Sequence, residues 1–438
     1  MRASRVIKIF FCVLPLFTAL PSQSAAPNRS LAKLIYQRIA GRPPTNLMLD
    51  SLEKLAEKRD YAAIADQALL DDEFYRVTLT SYIKKKVSSI NTIDTTLNDS
   101  VALGVGLAYN NEAFHQLLFG NILYTANNNV TGLTSTIVAN AAIPAYSMDN
   151  NLHFEYLESA NENIAGVIKP LEAWHKKLRK SPQVTEGGVT GVYTTLGSGI
   201  ALEDAAGIFT TRGLGSFIYN AGTNRKAFNF LVSQFMCSTL AEVHNTSAPD
   251  DRIRQDIDRC PGGKCSDFKS SCVGCHSVMD PAIGAFAFFD FDQSANPANG
   301  QQRLQYKVKA QGAPDALGAG SVQGKYLRSL VEANRRTGYV TTDNTWVNNL
   351  YLGPNARFFA DPSNAIKSGK GAQSFTKMIA ESKGFAECLA KEMFEVSCSR
   401  VPTNEELIKV NEKALSFQKN NYQLKSLIRD VTQVCYEE

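Results

Sequence analysis

Nine cysteines are the strongest constraint on how this chain can fold, because their pairing depends on the compartment the chain reaches. Residues 1–25 read as an export signal. Arg2, Arg5 and Lys8 give a basic start, Ile7 to Leu20 is apolar apart from Lys8 and Thr18, and small residues at Ser22, Ser24 and Ala25 suit cleavage. The apolar run is shorter than a bilayer-spanning helix needs, and no later stretch is long and apolar enough to span. The mature chain is therefore expected in the periplasm or outer envelope. Unassigned thiols tend to pair there, so the eight cysteines beyond the signal form a disulfide problem or a cofactor problem.

Two of the eight stand in Cys272-Val273-Gly274-Cys275-His276. Covalent attachment of haem requires two thiols spaced for the two vinyl groups on one porphyrin edge and an imidazole that can reach the iron. Five residues supply all three. Cys272 and Cys275 are the expected attachment points of one haem c, and His276 its proximal iron ligand. A four-thiolate zinc site from Cys260, Cys265, Cys272 and Cys275 is one competing reading, and a wholly disulfide-bonded set is another. The zinc site leaves His276 without a role. Cys237, Cys260, Cys265, Cys388, Cys398 and Cys435 can make up to three disulfides in 15 ways. Cys260 and Cys265 are the expected local pair, since Pro261-Gly262-Gly263 can turn the chain back between them.

The sixth iron position is open. From Pro281 to Lys377 there is neither methionine nor histidine, which argues against a compact module with a nearby axial methionine. Met279 follows His276 too closely to cross to the other side. The distal candidates are Met378, Met393 and His244, with Met236, Met148 and His153 behind them; each is also a plausible core or surface residue. An iron left open or water-bound would favour peroxide or small-ligand chemistry. Asp280, Asp290 and Asp292 read as caps and turns. No nucleophile elbow, Walker loop or His-Glu-x-x-His motif is present.

Apolar periodicity predicts a mainly α fold, with multi-helical N- and C-terminal regions around a coil-rich haem segment. The expected divisions are 1–25 signal, 26–200 N-terminal helical region, 201–361 haem-binding region and 362–438 C-terminal helical region. Leu31, Leu34, Ile35 and Ile39 should share one helix face, and Thr45 should cap the next helix. Helices are also expected near Glu112 to Phe119, Leu152 to Leu178 and Thr223 to Leu240. Four more should span Ala372–Ser382, Gly384–Ser397, Glu405–Lys419 and Gln423–Tyr436. Leu133 to Val138 could form a short strand. Without Arg2, Arg5 and Lys8 the chain carries 43 basic against 42 acidic residues, so nothing electrostatic points to nucleic acid.

The stretch from Cys272 to Asp292 resembles a large group of exported bacterial cytochrome c-like proteins first noted in planctomycetes. Their shared pattern is Cys-x-x-Cys-His followed by Met or Ile, Asp-Pro, Gly, Phe-Ala and Phe-Asp. Here those positions are Met279, Asp280, Pro281, Gly284, Phe286, Ala287, Phe291 and Asp292. Gly207-Ile-Phe-Thr-Thr-Arg-Gly, Asn224-Arg225 and Gln234-Phe-Met-Cys237 are similar to the segment that precedes the motif in that group. Leu34 to Phe74, Phe385-Ala-Glu-Cys388, Phe394 and the helical ending extend the likeness to most of the chain. The stretch from Pro281 to Phe286 is longer than usual, and Phe289 stands where the group commonly has glutamate. The resemblance implies c-type haem binding and redox activity outside the cytoplasm. The leading function is single-electron transfer with another envelope redox protein. The alternatives are a haem oxidoreductase with an open distal site and an envelope interaction protein with structural haem.

Overall fold

The computed structural model describes residues 27–87, 99–126, 162–164, 167–169, 174–184, 200–220, 223–292, 303–306 and 338–437. The export segment, the Leu133–Val138 strand, Met148 and His153 lie outside them. Among the described residues the protein is mainly helical, with only short two-stranded pairings. No helix among them is long and apolar enough to cross a membrane.

Three helices open the chain: α1 (Pro27–Ala40), α2 (Asn46–Glu57) and α3 (Tyr61–Leu69). The face of α1 is rotated slightly from the predicted one: Ala32, Ile35, Tyr36 and Ile39 are buried, while Leu34 is 41% exposed. Ala32 and Tyr36 complete the spacing that Leu34 was expected to fill. Gly41 at φ +80 and Pro43-Pro44 end α1. Thr45 caps α2 by accepting from the Met48 N–H, as its sequence position predicts, and Asp60 does the same for α3 through Ala63. The chain continues through a π-turn at Phe74–Leu79 into α4 (Thr80–Val87), α5 (Asp99–Tyr109) and the one-turn α6 (Gln116–Phe119).

The expected helix over Leu152–Leu178 is absent among the described residues. Strands β2 (Glu162–Ile164) and β3 (Val167–Lys169) pair antiparallel there, and a 3₁₀ turn covers Trp174–Lys177. The β-branched residues Ile164, Val167 and Ile168 flank Ala165-Gly166, a hairpin pattern that outweighs the weak helical periodicity. Strand β1 (Leu123–Ala126) pairs with β4 (Leu178–Ser181), β5 (Phe289–Asp292) with β6 (Arg303–Tyr306), and β7 (Thr345–Val347) with β8 (Ser368–Lys370).

Helices α7 (Arg212–Ile218), α8 (Arg225–Phe235) and α9 (Val273–Ala282) form the middle of the fold. Four helices end it: α10 (Gly371–Ala380), α11 (Lys383–Cys398), α12 (Asn404–Lys419) and α13 (Leu424–Tyr436). Their bounds follow the sequence prediction within a residue or two. Thr403 and Glu406 form a reciprocal capping box at the start of α12. Helix α13 buries Leu424, Leu427, Ile428, Val431 and Val434 along one stripe.

The two ends of the chain pack directly on each other. Arg38 of α1 donates at 2.7 Å to the Cys398 carbonyl and at 2.7 Å to the Tyr436 hydroxyl. The Ala62 N–H of α3 reaches Gln433 of α13 at 2.9 Å. One apolar core runs through all three expected regions, from Ile35 through Phe209, Phe286 and Phe375 to Phe394 and Ile428. Phe286, just past the motif helix, contacts Phe209 at 5.6 Å and Phe375 at 5.8 Å between ring centroids. The segment just past the motif helix is thereby packed against Phe209 of its own region and Phe375 of the C-terminal region.

Candidate functional site

Helix α9 begins within the cysteine motif, and a π-turn over Phe268–Cys272 leads into it. Such turns recur at functional sites because they shift side chains out of ordinary helical register. Cys272 and Cys275 are both half-buried and unpaired. Every other described cysteine is in a disulfide: Cys237–Cys388, Cys260–Cys265 and Cys398–Cys435. The predicted local pair is present, and the two long-range pairs, which sequence spacing left undetermined, join α11 to the end of α8 and to α13.

This pairing bears on both competing readings of the cysteines. A four-thiolate zinc site needs Cys260 and Cys265 as thiolates, and they are bonded to each other. An all-disulfide set needs Cys272 and Cys275 consumed, and they are free. Burial, followed by the neighbouring Cys272 thiol, pushes the Cys275 thiol up, so the surroundings favour neutral sulfur over thiolate. A thioether is neutral sulfur. A small apolar cluster of Ile253, Phe268 and Val273, joined by Ile257, packs around Cys272 apart from the main core.

His276 and Asp280 are four residues apart on α9 and so share one helix face. The His276 Nδ1 lies 3.1 Å from Asp280 Oδ1. Asp280 has no exposed side-chain surface, whereas the His276 side chain is 19% exposed. Its Nε2 has no partner among the described residues, which leaves one ring nitrogen for a metal and the other held by a carboxylate. Metal-binding histidines are oriented by such outer partners. These residues fit a covalently attached haem: two unpaired sulfurs, an apolar flank and an imidazole presented through one nitrogen.

Asp280 is in turn held by groups far away in sequence. Arg225, the first residue of α8, donates through Nε to Oδ1 at 2.8 Å and through Nη2 to Oδ2 at 3.0 Å. The same guanidinium spans to Asp256 at 2.7 and 2.9 Å. The Arg254 backbone N–H adds a bond to Asp280 Oδ2 at 3.0 Å. Burial works to raise the Asp280 carboxyl, but the bonds from His276 and Arg225 prevail and hold it down at about 2. Asn224, preceding Arg225, donates to the carbonyls of Phe286 and Phe289 at 2.8 and 2.9 Å. The Asn224-Arg225 pair thus fixes the carboxylate on α9 and the exit from that helix together.

The motif's other flank is polar and equally fixed. The Asn245 N–H donates to the Gly274 carbonyl at 2.9 Å, Ser277 Oγ donates to the Asn245 carbonyl at 3.0 Å, and Asn349 Nδ2 reaches the Ser277 carbonyl at 2.7 Å. His244 lies against Gly274, between the two cysteines: a Cβ added there would sit 2.1 Å from its Nε2. Glycine is required at that position for the imidazole to stay.

Of the distal candidates, His244 is the one placed beside the motif. Met378 on α10 is buried, and its sulfur accepts from Asn348 Nδ2 at 3.5 Å, one residue from the Asn349 bond to α9. Met393 is buried on α11, and Met236 is buried at the end of α8. Asp290 and Asp292 lie in strand β5, opposite Gln305 and Arg303, and not in the expected cap or turn; Asp290 Oδ1 accepts from the Phe291 N–H at 2.9 Å. Asp280 departs from that expectation: it is the buried partner of the motif histidine. The four-residue step from His276 to Asp280 was a visible signal; Arg225 stood out only within the resemblance and without a role, and Asp256 not at all, since only the fold brings them near. No family model, curated protein or solved structure matches the chain.

Proposed function

We propose that this protein is an exported c-type cytochrome that exchanges single electrons with another redox protein of the bacterial envelope. One haem c would be held by thioethers at Cys272 and Cys275, with His276 as proximal ligand. The observation that carries this reading is that the motif cysteines alone stay unpaired among the described residues, beside an imidazole with one nitrogen fixed and one free. When bound, haem supplies a one-electron iron couple whose potential is set by axial ligand, burial and outer hydrogen bonds.

The chain's own residues have separable tasks. Cys272 and Cys275 anchor the porphyrin edge. Ile253, Phe268 and Val273 keep water from that edge, and a lower local dielectric strengthens the ligand's influence on the iron. Asp280 orients the imidazole. Three disulfides suit an oxidising compartment, which supports placement in the periplasm or outer envelope.

A second reading, a haem oxidoreductase with an open distal position, is favoured by the engagement of Met378 with Asn348. Spectra of protein made in a host with haem-attachment machinery separate the two. The proposal predicts low-spin haem indifferent to cyanide and carbon monoxide. High-spin iron that binds either ligand would replace electron transfer with the enzymatic reading, and a redox-silent haem would leave only a structural role.

A further inference from the structure

Asp280 lacks exposed side-chain surface, and enclosing a carboxylate is unfavourable unless donors compensate it. Orientation of an imidazole does not demand that. A backbone carbonyl accepts from the free ring N–H equally well and brings no charge to bury. We infer that the Asp280 carboxylate makes His276 an electron-rich iron ligand and thereby gives this haem a low reduction potential, fitting the protein to donate electrons. The inference rests on the haem reading above and deepens it.

Four donors converge on Asp280: His276 Nδ1, Arg225 Nε and Nη2, and the Arg254 backbone N–H. An ionised carboxylate only accepts, so the proton of the shared bond resides on Nδ1 and the lone pair is left on Nε2. Charge drawn toward that N–H raises the basicity of the opposite nitrogen. A more basic ligand stabilises ferric over ferrous iron, and the potential falls. Arg225 does not cancel this effect, because its guanidinium is divided between Asp280 and Asp256. The Arg254 guanidinium approaches Asp256, at 3.5 Å. Asp280 is thus a positioning and electron-donating residue, and Asp256 an outer support that touches Arg225.

The test is a spectroelectrochemical titration of the haem-loaded full chain and two variants. Asp280→Asn keeps the size and removes the charge. It should favour ferrous iron at least tenfold, a rise of about 59 mV for one electron. Asp256→Asn disturbs the same Arg225 without touching the imidazole and should move the potential by well under half as much. An unmoved or lowered potential in Asp280→Asn overturns the inference. So does an equal shift in Asp256→Asn, which would mark general loosening.

If Asp280→Asn yields no haem-loaded protein, the wild type decides. Its potential should lie at least about 59 mV below that of a c-type haem with the same distal ligand whose proximal imidazole bonds to a backbone carbonyl. A potential equal to or above that reference overturns it. Wild type without covalent haem would sink the haem reading itself, whereas haem-loaded variants with unmoved potentials would sink only the role of Asp280.

Discussion

The helices at the two ends of the chain and the segment around α9 are held by different forces. In the first, stripes such as Leu424, Leu427, Ile428, Val431 and Val434 bury against α3, α11 and α12, and polar bonds act mainly as caps or pins. In the second, a charged group and a series of asparagines fix the backbone: Asp280 through Arg225, Asn224 through Phe286 and Phe289, Asn245 through Gly274, Asn349 through Ser277. Apolar burial is tolerant of small displacement. Hydrogen bonds to a buried carboxylate are directional, which is the property a metal-ligating imidazole requires of its surroundings.

Replacing Arg225 by Met is the severest way to break this division. It leaves the Asp280 charge buried with His276 and one backbone N–H, and a broken buried pair destabilises by about 3–5 kcal/mol. Hydrogen exchange should show lost protection in α8 and α9 before α12 and α13 respond. Ile428→Ala does the converse, with a loss of about 3 kcal/mol from a fully packed site in α13. Its exchange should open α11 and α13 first. Equal loosening of both regions by both variants would show that the shared core erases the distinction.

Mild acid sharpens the comparison with a smaller effect. His175 is wedged between Tyr75 and Tyr109, at 4.7 and 4.9 Å between ring centroids, in the N-terminal part of the fold. Burial pushes it down to about 4 from the ordinary 6.5. The folded state keeps it neutral while the unfolded chain protonates it. Stability is therefore intact above pH 6.5 and is lost as pH falls toward 4, by about 1.4 kcal/mol per unit of that interval. Urea unfolding at pH 7 and pH 4.5 should show the loss in wild type and a reduced loss in His175→Gln. The α9 network should hold through the same window, because Asp280 stays ionised down to about 2.

The same contrast explains what could be read in the sequence. The four C-terminal helices were legible to within a residue or two, and the Thr45 cap was legible outright, because periodicity and capping are local properties. The Cys260–Cys265 pair was legible for the same reason. Leu34 was misplaced on its helix because a face is set by what packs on it, here α2, α3 and α11. The Cys272-to-His276 motif stood out in the sequence, yet the groups that hold it did not: Arg225 is 55 residues from Asp280, and Cys388 is 151 from Cys237. An aspartate beside a proline looks like a turn until the fold delivers a guanidinium to it.

Intact mass spectrometry of the mature protein, made in cells able to attach haem, tests the central claim most directly. The account predicts a mass increased by one haem, absent from the Cys272→Ala/Cys275→Ala variant and retained after Cys260→Ser/Cys265→Ser. A polypeptide of unmodified mass, or one carrying zinc at those thiols, would contradict it.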